Sequence, residues 1–239
     1  MTCDSSGENW PPRFSIRISP KARYARLRVL PHTGLEVVLP RGMDESKAIG
    51  IVENHRDWIC KTLDRVCANI PPPSMPSLPQ EIALHGGSVR LAVRYGQGKT
   101  LETKTTLDLC ALENSLLAVF ELQAWARGYA TRVTGREVAT LAAEHDLPVR
   151  GLRFRRQKSR WGSCSAKKTL SLNTCLIFLP PELARHVIRH ELAHTRHLDH
   201  GQGFWKTLFA MSPDALALDR RLRSAWKYVP AWMWLREVS

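Results

Sequence analysis

The segment from His190 to His194, with the sequence HELAH, constrains the fold of this chain more than any other. Residues four apart in a helix lie one above the other on the same face, so both imidazoles can bind one tetrahedral metal ion when this segment is helical. Glu191 then lies beside the metal without binding it, where a carboxylate acts as a general base. The segment therefore predicts a helix that carries a zinc site of the HExxH type.

The metal needs a third protein ligand, because a catalytic zinc keeps three of them and leaves its fourth position to water. The nearby side chains that compete for this place are His186, His197, His200 and Glu182. His186 and His197 prolong the helical stripe of the first two histidines, so neither reaches round the metal easily. His200 precedes Gly201, where the helix can end and the chain can fold back. We therefore expect His200 to complete the site of one Zn²⁺ ion.

Two other ligand sets agree less well with the sequence. The spacing of the three histidines equals that of the metzincin motif, but His197 occupies the place of the glycine that makes its turn. A downstream glutamate ligand has little support, since the next acidic residues are Asp214 and Asp219 and no glutamate follows until Glu237. Three histidines remain the favoured set.

Several sequence blocks occur in order within about residues 150–225: RWGSCS (160–165), LSLN (170–173), PE (181–182), HELAH (190–194), and HG (200–201) followed by FW (204–205). In this order and spacing they resemble the YgjP-like metallopeptidase family, zinc-dependent hydrolases related to the SprT and Spartan type of proteases. The N-terminal half resembles the family more loosely, in residues 26–29, 39–40 and 58–59. The resemblance implies metal binding by His190, His194 and His200, with Glu191 catalytic.

Two positions depart from the family pattern. His186 stands where the family usually has an aromatic residue, and Gly201 stands where it often has serine. Neither departure removes a ligand. The role of His186 stays open.

The pattern of apolar residues predicts an α+β protein. Strand-like stretches at residues 14–18, 25–30 and 35–39 predict a meander, and a helix from Asp44 to Leu63 follows. A long helix from about residue 113 to residue 145 is expected to pack behind the metal-site helix.

Downstream of this helix, residues 152–155 and 170–176 alternate between apolar and polar and predict a small antiparallel sheet. By analogy with zinc proteases of this general build, residues 170–174 are candidates for an edge strand that pairs with an extended substrate. A plain core strand is an equally consistent interpretation.

These patterns predict three regions along the chain. Residues 1–12 form a flexible N-terminus, and residues 13–110 form a β-rich region with one helix and a proline-rich linker near residues 70–80. Residues 111–239 form a zincin-like catalytic region, with the long backing helix, the small antiparallel sheet, the HExxH helix and C-terminal helices.

The chain is strongly basic. Lys and Arg number 35 against 22 Asp and Glu, so the formal net charge is +13, and residues 150–168 contain several of these cations and no acidic residue. Such a patch attracts polyanions and binds phosphates without reading base sequence. It predicts non-specific nucleic-acid contact through Arg150, Arg153, Arg155, Arg156, Lys158 and Arg160. The alternative is the solvated face of a strand and loop, and no known nucleic-acid-binding motif is apparent.

The chain shows no sign of a membrane or secreted protein. No stretch approaches the roughly 18–20 apolar residues of a membrane span, and the first residues contain neither a basic region nor a hydrophobic run. The six cysteines include no CxxC pair. We therefore expect a cytoplasmic protein whose cysteines are mostly reduced.

Two classes of function follow. The first is a zinc-dependent metallopeptidase acting on a protein or peptide substrate, in which activated water attacks a peptide bond and Glu191 is the general base. Its oxyanion donor is open among Arg160, His197 and Tyr228, of which only Arg160 has a positional argument. The alternative is a basic nucleic-acid or protein-binding module with a structural zinc, which a fourth protein ligand such as Cys164 would close.

Overall fold

The computed structural model describes residues 10–30, 34–67, 78–112 and 116–235 of the chain. Its contacts divide the chain into two compact units, Met1–Met75 and Pro76–Ser239. Both units combine helices with β-sheet, which confirms the α+β prediction. The flexible N-terminus predicted for residues 1–12 lies outside the described residues up to residue 9, and so does most of the predicted linker.

The first unit is a three-stranded sheet with two helices: β1 (Phe14–Ser19), β2 (Arg26–Leu30), β3 (Gly34–Pro40), α1 (Lys47–Glu53) and α2 (Arg56–Cys67). The strand order is β1-β3-β2, with β1 parallel and β2 antiparallel to β3. The predicted meander is therefore wrong. β3 takes the centre because its apolar residues Leu35, Val37 and Leu39 are buried in the core of this unit, together with Val52 and Ile59 of the helices.

The single helix predicted from Asp44 to Leu63 is in fact two helices, separated by a turn at residues 54–55. His55 Nδ1 lies 2.8 Å from the Ile51 carbonyl oxygen, so the imidazole bonds a carbonyl group at the end of α1. Cys60 of α2 takes part in a disulfide, whereas Cys110, Cys164 and Cys175 are free, as the sequence predicted for most of the cysteines.

The described residues of the second unit form two further sheets and four α-helices. Its elements are β4 (Glu81–Leu84), β5 (Val89–Gly96), β6 (Leu101–Glu102), β7 (Thr106–Cys110), α3 (Leu116–Glu144), β8 (Gly151–Arg155), β9 (Gly162–Cys164), β10 (Thr169–Asn173), α4 (Pro181–Ala193), α5 (Gln202–Met211) and α6 (Ala215–Leu222). Short 3-10 helices cover Thr174–Phe178, Ala225–Tyr228 and Ala231–Trp234. Among the described residues, no helix is both long and apolar enough to cross a membrane.

The four-stranded sheet, of order β4-β5-β7-β6, belongs to the second unit. Its residues Leu84, Leu91 and Leu107 share one buried core with Ala118 and Leu122 of α3. The compact unit therefore begins at residue 76, within the proline-rich linker predicted near residues 70–80, whereas the sequence began the catalytic region only at residue 111. The reason is that this sheet buries its apolar face against the long helix of the catalytic region.

The sheet next to the metal-site helix has the order β8-β10-β9, and it is mixed. β9 is antiparallel to β10, whereas β8 is parallel to it, so the antiparallel pairing predicted between residues 152–155 and 170–176 is wrong. β10 is the central strand, and its Leu170 and Leu172 are fully buried. The prediction that residues 170–174 form an edge strand is therefore wrong, because pairing on both sides leaves β10 no free edge.

The long helix predicted behind the site is confirmed as α3. It contacts both α4 and the 3-10 helix Thr174–Phe178. Its small residues Ala126 and Ala130 are fully buried in the core of the second unit.

Candidate metal centre

α4 is the element that presents the HExxH motif. It begins at Pro181, which lacks an N–H that would have no partner in the first turn of a helix. Glu182, also in the first turn, interacts favourably with the positive end of the helix dipole. Its buried apolar side holds it against the core of the second unit. His190 lies in its last turn, and His194 is the C-cap residue with helical φ and ψ angles, so the two imidazoles lie one turn apart on the same face.

The three predicted histidine ligands lie together. Nitrogen atoms of His190, His194 and His200 are all within 4.8 Å of one another, and the Nε2 atoms of His190 and His200 are 3.3 Å apart. His200 reaches this position because the chain folds back between α4 and α5. In the described parts of the chain, no further His, Cys, Asp or Glu joins this group of three.

A backbone hydrogen bond orients His194. Its Nδ1 lies 2.9 Å from the carbonyl oxygen of His197, so Nδ1–H donates and Nε2 keeps its lone pair for a cation. The imidazole of His197 packs against Gly203, where an added Cβ would lie 2.7 Å from Cε1. His197 thus contributes to the site through its backbone, and the structure does not bring its ring into the histidine group.

Phe204 of α5 supports all three imidazoles. Its ring is fully buried, and its centroid lies 5.0 Å from that of His190 and 4.6 Å from those of His194 and His200. An apolar ring in this place limits the movement of the imidazoles and lowers the local polarity. In the sequence, Phe204 stood out only as part of a family block.

His186 is a hydrogen-bonded core residue. It is fully buried, its Nε2 lies 2.9 Å from Asp219 Oδ1, and its Nδ1 lies 3.4 Å from Ser212 Oγ. Both ring nitrogens of His186 are therefore engaged by Asp219 and Ser212, and neither belongs to the group of His190, His194 and His200. His186, His190 and Asp219 form a second cluster within 4.8 Å, so Asp219 comes close to the first histidine of the motif. Sequence reasoning missed this role for Asp219, because it depends on the packing of α6 against α4.

Glu191 is buried beside the histidines. The residue is only 6% exposed, and its Oε2 has no hydrogen-bond partner among the described residues. Burial raises the pKa of Glu191 to about 7, and the positive charge of Arg160 opposes this rise. A carboxylate with one free buried oxygen is suited to accept a proton from a bound molecule.

β9 lies directly over Glu191. A Cβ added at Gly162 would be 2.6 Å from both Cγ and Oε1 of Glu191, so only glycine allows this approach. The loop before β9 is fixed by Asn173, whose Nδ2 donates to the Gln157 and Arg160 carbonyls at 2.7 and 2.9 Å. Trp161 stacks on Trp226 with ring centroids 3.9 Å apart.

The imidazoles of His190 and His194 are in the form that binds metal. Burial, together with the neighbouring His194, lowers the pKa of His190 to about 4. Burial also lowers the pKa of His194. Both rings are therefore neutral at neutral pH, and their lone pairs are available. The donor set of three imidazoles with an unpartnered carboxylate oxygen nearby fits a zinc ion.

The cations that the sequence grouped for nucleic-acid contact do not all line the same cleft. Arg153, Arg155, Lys158 and Arg160 line one cleft of about 840 Å³ on the outward face of the sheet β8-β10-β9. Arg156 lines a different cleft. Tyr228, the remaining oxyanion candidate, lies in the 3-10 helix Ala225–Tyr228 with Lys227 Nζ 5.3 Å from its ring.

No curated protein matches the chain significantly. One solved structure, that of the metallopeptidase zymogen of Pyrococcus abyssi abylysin, is 22% identical over 36% of this chain and 89% of that chain; its TM-score of 0.34 is too low to support any argument.

A family model described as the YgjP-like metallopeptidase domain matches residues 23–225, which include most of each unit and the whole HExxH region. The match confirms the family that the sequence blocks resemble. The chain therefore belongs to the YgjP-like metallopeptidase family and is a metal-dependent peptidase.

Proposed function

We propose that this metallopeptidase is a zinc enzyme in which His190, His194 and His200 hold one Zn²⁺ ion and Glu191 is the general base. The observation that carries the proposal is the convergence of three imidazoles beside a buried carboxylate whose Oε2 has no partner in the described structure. When bound, zinc polarises the substrate carbonyl and makes water acidic enough to react at neutral pH.

Glu191 moves the proton in this proposal. Its carboxylate takes a proton from the attacking water and passes it to the nitrogen of the peptide bond that breaks, so that an amine leaves. A pKa of about 7 suits both steps, because the group accepts and releases a proton with similar ease near neutral pH. The close approach of Gly162 limits access of bulk water to this carboxylate.

β9 is the proposed substrate strand. It lies at the edge of the sheet β8-β10-β9 and passes over Glu191 at Gly162. An extended peptide that pairs with this edge binds through its backbone, which requires no particular sequence. This places the peptide next to the catalytic carboxylate, a role that the sequence assigned to residues 170–174.

Arg160 is the proposed oxyanion donor. It is exposed, and its charge lowers the pKa of Glu191, so a guanidinium lies near the catalytic carboxylate. A cation in this place stabilises the negative charge that develops on the substrate oxygen.

The alternative, a binding module with a structural zinc, requires a fourth protein ligand. None of the candidates for that place, His186, His197 and Cys164, joins the histidine group in the described structure. The geometry therefore favours a peptidase. A cytoplasmic location stays a prediction.

The test compares wild type with Glu191→Gln and His200→Ala, measuring bound zinc by mass spectrometry and cleavage of an unfolded protein. Glu191→Gln keeps about one zinc per chain but loses about 10²–10⁴-fold in kcat/KM, because the amide cannot take the proton. His200→Ala loses the metal as well. The matched control Glu144→Gln changes an exposed acid at the end of α3 and leaves both measurements unchanged. Full activity of Glu191→Gln, or full zinc retention in His200→Ala, would contradict the assignment.

A further inference from the structure

The cleft on the outward face of the sheet β8-β10-β9, here called the basic cleft, has an unusual lining. Its twelve lining residues include five cations and five hydroxyl groups, and none is Asp or Glu. In the described parts of the chain, Arg153, Arg155, Arg160 and Lys167 form no ion pair. Cations gathered without acidic partners create a strong positive potential in a concave surface.

The basic cleft shares a wall with the metal centre. Ser163 and Cys164 of β9 line it, while the preceding residue, Gly162, lies against Glu191. Arg160 also lines it and lies close enough to Glu191 for its charge to lower the pKa of that carboxyl. A ligand in the cleft is therefore next to a peptide bound along β9.

Strand register determines which substrate side chains reach the cleft. Ser163 pairs with Ser171, and Ser171 pairs with Arg153, so these three residues share the outward face of the sheet. Gly162 pairs with Leu172, which is fully buried on the opposite face. Because side chains alternate along a strand, every second side chain of a peptide paired with β9 points to the same side as Ser163.

We propose that the basic cleft binds acidic side chains of the peptide substrate, at every second position of the strand that pairs with β9. The inference rests on the proposed function of β9. Guanidinium groups pair with carboxylates through two parallel hydrogen bonds, and the hydroxyl groups of Ser163 and Thr169 add further donors. The enzyme thus selects substrates rich in Asp and Glu.

A peptide agrees with the cleft better than a nucleic acid does. Single-stranded nucleic acids are held by a basic groove together with aromatic rings on which the bases stack. The lining of the basic cleft contains no aromatic residue. Two of the six cations that the sequence grouped for nucleic-acid contact, Arg150 and Arg156, do not line it.

The test uses the zinc-loaded full chain and pairs of peptides. In each pair, one peptide carries Asp or Glu at every second position and its partner carries Asn or Gln there. Two such pairs are made, one with the acidic residues at odd positions and one with them at even positions counted from the cleaved bond. The double variant Arg155→Gln/Lys167→Gln removes two cleft charges. The matched control Arg94→Gln/Lys99→Gln removes two exposed cations from β5 and the turn after it.

We expect wild type to cleave the acidic peptide of one parity with a kcat/KM about tenfold above that of its amide partner, as two partly exposed ion pairs provide. The cleft variant loses this preference, whereas the control keeps it and cleaves the amide peptide as wild type does. Raising the ionic strength from about 0.05 M to about 0.5 M reduces the preference, because salt screens exposed charges.

Equal cleavage of acidic and amide peptides by wild type, or the same loss of preference in the control variant, overturns the inference. If no peptide is cleaved, the proposed function fails, and binding of the same peptides, fluorescently labelled, decides the inference alone. Tighter binding of the acidic peptide, weakened only in the cleft variant, supports it, and equal binding of both peptides overturns it. Binding of an oligonucleotide of equal length without any preference among the peptides also overturns it and identifies a nucleic-acid surface.

Discussion

Gly162 packs directly against the side chain of Glu191. Only glycine fits there, since a Cβ at residue 162 would lie 2.6 Å from Glu191 Oε1. Other residues of the site act through similarly local contacts: His194 is oriented by the His197 carbonyl oxygen, and Phe204 packs against all three imidazoles. The chemistry thus depends on neighbours that are not themselves ligands or acids.

Gly162→Ala should lower kcat/KM about 10- to 100-fold with little loss of zinc, because a misplacement of the base by about 1 Å has an effect of this size. Peptide cleavage and zinc content are measured in parallel. Gly128→Ala is the control, since that glycine lies in α3 with open space around it, and alanine there stabilises the helix by up to about 1 kcal/mol. An active Gly162→Ala enzyme would show that the contact is not needed.

Two short elements, β9 and α6, position the metal-site helix. β9 spans only Gly162–Cys164, yet it covers Glu191 and forms the edge of its sheet. α6 contributes Asp219, which bonds the buried His186 of α4 one turn before His190. The bond joins two helices that are distant in sequence and holds the first ligand of the motif in place.

The His186–Asp219 bond should account for a measurable part of the stability. Asp219→Ala leaves the buried imidazole without its partner, and we expect a loss of about 1–3 kcal/mol in the free energy of unfolding. In a His186→Phe background the same change should cost much less, because the imidazole that Asp219 bonds is no longer there. Urea unfolding of the four proteins measures this coupling, and strictly additive losses would argue against it.

At the scale of the whole molecule, the described residues form two hydrophobic cores, one in each compact unit. All the proposed metal ligands belong to the second unit, while the first unit forms its core from β3, α1 and α2. A bound ion stabilises the structure that holds it, so its thermodynamic effect should be confined to the second unit.

Zinc removal by a chelator should therefore change hydrogen exchange unevenly along the chain. We expect faster exchange in α4, α5 and the segment between them, and unchanged exchange in β3, as followed by mass spectrometry of the intact, zinc-loaded protein before and after chelation. His200→Ala should reproduce this pattern without a chelator. Equal acceleration in β3 would show that the metal stabilises the chain as a whole.

Much of the metal centre could be predicted from local sequence. The four-residue spacing of His190 and His194 determines that they share a helix face, and Gly201 after His200 indicates a chain that folds back. Periodicity also predicted α3, because its pattern repeats over a long stretch. These features depend on neighbours close in sequence, which is why a single chain reveals them.

Only the tertiary structure decided which strand lies at an edge and which distant side chains meet. Local alternation looks the same in β10, which is central, and in a strand at an edge, so the sequence left an edge strand and a core strand equally consistent for residues 170–174. The parallel pairing of β1 with β3, the position of Asp219 beside His186 and the gathering of cations in the basic cleft likewise depend on contacts between distant segments. Such contacts follow from the burial of whole elements against one another, and no local pattern encodes them.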